Sequence, residues 1–185
     1  MKTIQEMYKK ELEGFIDDCI DVVTKTYEEF GEFPLTAMGM ICEGGEYKTF
    51  VLNGLEKLNQ QSDDENDVVI EAIKGFNQEI KPIVFVIASE AEMYLSSKQV
   101  QRVEDLEGED KTRVLSLKFE TYDQEMMLVY KVEDNKVKEP IDLSFNNVWR
   151  NKDESKAGGR FNNLLNENYS ELASLLKEQL GHDLN

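Results

Sequence analysis

Ile83-Val84-Phe85-Val86-Ile87-Ala88 runs without a polar side chain between Lys81-Pro82 and Ser89-Glu90. Six continuous apolar residues are too few for a helix bounded in this way, and their β-branched and aromatic content suits a strand buried on both faces. That strand decides the fold. It predicts a sheet with cover on two sides, so the elements around it must supply neighbouring strands and covering helices.

On its N-terminal side, Ser62 and Glu65 form a candidate capping box for a helix, with Val69, Ala72, Ile73, Phe76 and Ile80 on one face. Further back, residues 35–42 and 47–52 flank Glu43-Gly44-Gly45-Glu46 and predict a β-hairpin. Gly39, inside the first of these strands, marks a bulge or a close approach. The chain opens with Thr3 and Glu6 in capping-box spacing. Ile4, Tyr8, Leu12, Phe15, Cys19, Val23, Tyr27 and Phe30 follow at helical intervals, and Gly31 is the stop. This predicts one amphipathic helix of about 26 residues.

On the C-terminal side, residues 96–111 hold charges, serines and Gly108 without a period, which predicts a long connection. Residues 112–120, 124–132 and 137–143 read as an antiparallel meander turning at Glu133-Asp134-Asn135-Lys136. Ser144 to Arg160 reads as a loop. A final helix begins between Phe161 and Tyr169, carries Leu165, Leu172, Leu175, Leu176 and Leu180, and stops at Gly181. The expected fold is α+β, a single domain over residues 1–185. Its largely antiparallel five- or six-stranded sheet is joined by a long N-terminal helix, a middle helix and a C-terminal helix.

The 38 acidic residues outnumber the 21 basic ones, giving a formal charge of −17, and residues 1–110 hold 25 of the acidic and only 10 of the basic side chains. Such a field repels nucleic acid and anionic membrane surfaces, so neither is an expected partner. The acidity either serves solubility or forms a face for a basic partner. No secretory segment and no 18-residue apolar run is visible, which points to a cytoplasmic location without membrane insertion. Cys19 and Cys42 lack metal or redox spacing and are expected as reduced, packed thiols.

Chemistry-bearing patterns are sparse. There is no phosphate-binding glycine loop. Gly158-Gly159-Arg160 lacks the surroundings of a dinucleotide fingerprint, leaving a turn or a weak anion contact. His182, the only histidine, lies four residues from the chain end and is a poor acid–base candidate. No catalytic residue, metal site or cofactor is assigned. The sharpest polar feature is Glu90 with Glu92, which share one strand face at a separation of two. They fit a solvated strand end, protein recognition, or a hard-cation or acid–base role. Trp149 and Arg150, with Arg160 nearby, are candidate protein contacts, since an aromatic ring beside a guanidinium offers buried area and directional bonds. Packing of Trp149 at the core edge is the competing reading.

The strand from Ile83 into Ser89-Glu90-Ala91 and Met93 resembles that of an uncharacterised group of small bacterial or prophage-associated proteins, in which a strand ends in Ser-Glu-Ala-aromatic-Met. Glu92 stands at the aromatic position. The resemblance implies no reaction, cofactor or catalytic residue. With no enzyme machinery visible, and with a long acidic helix, a distinct Trp149/Arg150 loop and a charge-asymmetric surface, the preferred expectation is non-catalytic protein interaction, in a structural or assembly role, with a protein partner or by self-association. The alternatives are a small-ligand or cation-binding domain at Glu90 and Glu92, and a hydrolase-like enzyme using carboxylates. The presence or absence of a compact pocket holding both glutamates and another convergent polar group would separate these classes.

Overall fold

A computed structural model of the protein describes residues 3–60, 67–94, 111–141, 146–152 and 164–165. It is an α+β structure in which four helices accompany an antiparallel sheet. The elements run α1 Ile4–Met7, α2 Lys9–Phe30, β1 Thr36–Glu43, β2 Glu46–Leu52, α3 Leu55–Asn59, α4 Val68–Ile80, β3 Val84–Tyr94, β4 Lys111–Glu120, β5 Gln124–Glu133, β6 Lys136–Pro140 and β7 Arg150–Asn151. Six strands lie in the order β2-β1-β3-β4-β5-β6, and β7 pairs with β5.

The all-apolar stretch sits where its composition requires. β3 is interior, paired with β1 and β4, and Ile83 to Ala88 are all buried. The strand starts at Val84 and continues through Glu90 and Glu92 to Tyr94. Directly opposed residues of antiparallel strands point to the same side. The register therefore puts Val84, Val86, Ala88, Met38, Met40, Leu117 and Phe119 on one face, and Phe85, Ile87, Ala37, Phe50, Lys118 and Glu120 on the other. Fully burying each large apolar side chain in such a double-faced strand contributes about 1.5–3 kcal/mol.

Helix α2 lies on the first face. Tyr8 at its start meets the Tyr47 ring of β2 edge-on at 6.1 Å, and Glu28 near its end accepts the Val137 N–H of β6 at 3.3 Å, so α2 crosses the sheet from edge to edge. Leu12, Phe15, Cys19, Val23 and Tyr27 are its buried stripe. The expected single opening helix is interrupted at Tyr8, whose φ of −119° and ψ of 31° leave the helical region. Thr3 and Glu6 form the anticipated capping box on the one-turn α1, and Gly31, at φ 75°, ends α2. Phe30, expected on the apolar stripe, is exposed instead.

Helix α4 covers the second face, where Phe76 packs against Phe50 at 5.2 Å. Its cap is Asp67, which accepts the Ile70 N–H at 3.2 Å; Ser62 and Glu65, expected in that role, lie outside the described residues. The buried stripe is Val69, Ile73 and Asn77, while Ala72 and Ile80 are exposed. The packed face is thus rotated from the expected one because a polar residue, Asn77, takes a core position. α3, a short helix begun after Gly54 at φ 82°, is an element the sequence reading did not contain.

The hairpin of β1 and β2 turns at Gly44 and Gly45, both at positive φ, as two-residue hairpin turns require. Gly39 is a close approach and not a bulge. A Cβ there would stand 2.3 Å from Cζ of Phe50, whose ring occupies the space above the glycine. At the far edge, β6 ends at Pro140, earlier than expected, and its pairing with β5 shifts register between Tyr130 and Val132. The segment expected as a loop from Ser144 contributes to the sheet. Asn146 bridges to Met127, its side chain brackets Val129 through Oδ1 and Nδ2, and β7 pairs Arg150 with Glu125. The expected C-terminal helix and most of the connection at 96–111 lie outside the described residues, although Leu164 and Leu165 are buried in the core.

Candidate functional site

Glu90 and Glu92 project from β3 on the face that carries α2, past the point where α2 ends at Gly31. Alternation along the strand puts them side by side, as their spacing predicted. Cross-strand partners lie diagonally on β4. The Arg113 guanidinium reaches Glu90 Oε1 through both Nε, at 2.8 Å, and Nη2, and Lys111 Nζ donates to Glu92 Oε2 at 2.9 Å. The hydrogen bond to Glu90 raises the pKa of Arg113, with the glutamate's charge acting in the same direction. Glu90 Oε2 also accepts the backbone N–H of Phe33 at 3.4 Å, which ties the chain leaving α2 to the end of β3.

These residues border a pocket of about 570 Å³ lined by Glu32, Phe33, Pro34, Glu56, Glu90, Ala91, Glu92 and Arg113. Three parts of the chain converge on it: the turn between α2 and β1, the helix α3, and the outer half of β3 with β4. Glu56, from α3, accepts the Leu35 N–H at 3.3 Å and so fastens that helix to the turn. Four glutamates face one arginine, and Phe33 and Pro34 supply an apolar wall. Glu32 and Glu56 were not singled out in the sequence. Nothing in their spacing links them to Glu90, since the pocket depends on α3 and the turn folding back toward β3.

Among the described residues no group of three or more His, Cys, Asp or Glu side chains is arranged to hold a metal ion. Cys19 is buried on α2, and burial followed by the neighbouring Asp18 charge pushes its thiol up to about 12. Cys42 is half-buried on β1, and both are free thiols.

Trp149 is half-buried against the core, and Arg150 is exposed on β7. Neither lies in the pocket lining, and Arg160 lies outside the described residues. A second polar constellation, on the α4 face, also escaped the sequence reading. Lys118 stands 3.2 Å from Glu120 and 3.0 Å from Glu125, while Lys152 donates to Glu120 Oε2 at 3.1 Å. Alternation places Lys118, Glu120 and Glu125 on one face, and among the described residues Lys152 and Leu164 close over Glu120.

Searches of protein-family models, curated proteins and solved structures gave no match, so no relative bears on either constellation.

Proposed function

We propose that the protein is a non-catalytic interaction module that takes a positively charged side chain of a partner protein into the pocket beside Glu90. The observation that carries this reading is Arg113. Its half-exposed guanidinium enters the glutamate-lined pocket and is held by Glu90, so the site already accommodates the group it would recognise, with Glu32 and Glu56 remaining at the rim. An acidic concavity also concentrates cationic partners and raises their association rate. The chain-wide charge of −17 works in the same sense.

A hydrolase reading has less support. Dividing acid and base roles needs two carboxylates in contrasting environments, whereas Glu90 and Glu92 each face a cation. The small-ligand reading shares the pocket and differs in what enters it. The test is titration of an Arg/Lys-rich peptide into the protein at low and physiological salt, beside an uncharged peptide of equal length and spermidine. Glu32→Gln with Glu56→Gln should weaken the basic peptide roughly tenfold at low salt, because two rim charges are lost while the hydrogen-bond acceptor at position 56 is kept. Equal binding by the variant, or by the uncharged peptide, removes the pocket from the account. Binding of spermidine in preference to the peptide transfers the site to the small-ligand reading.

A further inference from the structure

The two edges of the sheet are built differently. The β6 edge is short and carries Lys136, Lys138, Pro140 and a register shift, all features that discourage another strand from adding. The β2 edge is seven residues, Glu46-Tyr47-Lys48-Thr49-Phe50-Val51-Leu52, with no proline and regular pairing along its whole length to β1. Among the described residues no strand lies on its outer side.

The register states which backbone groups face outward. Glu43 and Glu46 close a two-residue turn and form a hydrogen-bonded pair, so Lys48, Phe50 and Leu52 also direct their N–H and C=O groups to β1. Tyr47, Thr49 and Val51 direct theirs away. Met40 confirms the alternation. It opposes Thr49, yet its carbonyl turns to β3 and accepts the Ile83 N–H at 2.7 Å. The side chains of Tyr47 and Val51 are also exposed, at 42% and 53%, on the face occupied by α2.

The geometry points to a second copy of this chain as the strand that covers β2, antiparallel and with a two-fold axis through Thr49. In that register Thr49 opposes Thr49 of the other copy, and Tyr47 opposes Val51 in both directions. All three outward residues become hydrogen-bonded pairs, giving six inter-strand bonds. Two exposed aromatic–aliphatic pairs are buried at the same time. Registers shifted toward the hairpin turn do worse. An axis at Lys48 sets two lysines against each other, and an axis at Tyr47 runs Thr49 onto the glycine turn. Lys48 itself folds back to Glu43 at 2.6 Å, leaving the edge open to a strand. The interface uses the edge alone and does not depend on the acidic pocket.

Sedimentation of the full chain over a concentration series tests the pairing. The expected result is a reversible dimer. Thr49→Pro removes two of the six donors while leaving every bond to β1 intact, and Thr49→Lys places two cations on the axis. Each should weaken dimerisation by about tenfold or more without unfolding the monomer. In a Cys42→Ser background, Thr49→Cys should cross-link under mild oxidation, since paired Cα atoms there lie about 5.5 Å apart. Lys48→Cys should not, as its two copies are offset along the strands beyond disulfide reach. A chain that is monomeric throughout, a dimer indifferent to both Thr49 variants, or cross-linking through position 48 in place of 49 overturns the proposal. So does a chain that is monomeric alone and uses this edge only for a different strand. None of these outcomes touches the basic-peptide titration, so the two readings fail separately.

Discussion

Glu120 Oε2 accepts the backbone N–H of Leu164 at 2.8 Å, joining the inner end of β4 to a segment 44 residues further along the chain. Asn77 of α4 holds the other side of the same residue, its Nδ2 donating to the Leu164 carbonyl at 3.3 Å. One peptide segment is thereby fixed between the sheet and its covering helix. The carboxylate that does this is itself buried, with Lys152 at 3.1 Å and Lys118 at 3.2 Å supplying the opposite charge. A buried carboxylate is tolerable only in such company.

Glu120→Ala should therefore be severely destabilising, by about 3–5 kcal/mol, because Lys152 loses the carboxylate facing it and the Leu164 N–H loses its acceptor. Glu120→Gln retains an acceptor oxygen and should fall between the two. Denaturant unfolding of the three proteins checks the order. Equal stability for wild type and Glu120→Ala would mean that Leu164 is not held through this residue.

The space above Gly39 gives a second prediction. Alanine at this position drives its Cβ into the Phe50 ring, so Gly39→Ala should cost about 1–3 kcal/mol through overpacking. Shortening the ring relieves the conflict, and Gly39→Ala should be nearly neutral when made in a Phe50→Leu background. A double-mutant cycle read by chemical denaturation measures the coupling. Additive effects would show that Phe50 is not what excludes a side chain from position 39.

Why some of this was legible in the sequence and some was not follows from the range of the interactions. Residues 83–88 announced a doubly covered strand because burial on both faces demands an unbroken apolar run, and Gly44-Gly45 announced a hairpin because only positive φ closes it. Such signals are local. The meander of β4, β5 and β6 was readable for the same reason. Glu90 and Glu92 were placed on one face correctly, since strand alternation has a fixed period of two. Their neighbours Glu32 and Glu56 were not found, because a turn and a five-residue helix carry no period that predicts where they fold. Lys118, Glu120 and Glu125 fall on one face by strand alternation, but nothing local in the sequence says that Lys152 and Leu164 fold back onto Glu120. Asn77 misled the reading of α4 in the same way. A polar residue in a helical stripe looks exposed until its partner, here the Leu164 carbonyl, is known.

Buried thiol and phenol groups, Cys19, Tyr8 and Tyr122 among them, make stability fall at alkaline pH. Burial raises Cys19, Tyr8 and Tyr122 each to about 12 in the folded protein, while in the unfolded chain the thiol titrates near 9 and the phenols near 10. Well below pH 9 all three are protonated in both states and contribute no pH dependence. Above it the unfolded chain releases protons that the folded one keeps, so stability falls as pH rises from about 9 toward 12. Cys19→Ala should remove the earliest part of that decline, between pH 9 and 10, after allowance for its constant packing loss. Unfolding free energies at pH 8, 9, 10 and 11 decide the matter. An identical slope in both proteins would show that Cys19 does not titrate differently on folding.

The last prediction separates two neighbouring residues that the sequence grouped as one surface. Trp149 is half-buried against the core, whereas Arg150 presents an exposed side chain and uses its backbone to pair with Glu125. Lys152, two residues on, enters the buried network and bonds through its own N–H to the Asp123 carbonyl at 3.1 Å. Trp149 thus sits at the head of a strap whose far end neutralises Glu120. Trp149→Ala should lower stability by about 1–3 kcal/mol, less than for a fully buried tryptophan, because part of the ring is wet already. Arg150→Ala should cost less than Trp149→Ala, because its side chain is exposed. The same strap predicts a coupling. Lys152→Met removes the side-chain tie to Glu120 while keeping the N–H bond to the Asp123 carbonyl, and in that loosened background the further loss from Trp149→Ala should be smaller than in the native chain. Unfolding followed by circular dichroism for the four proteins of the cycle measures this. Strict additivity would mean that Trp149 and Lys152 dock independently, and a larger loss for Arg150→Ala than for Trp149→Ala would return the packing role to the arginine.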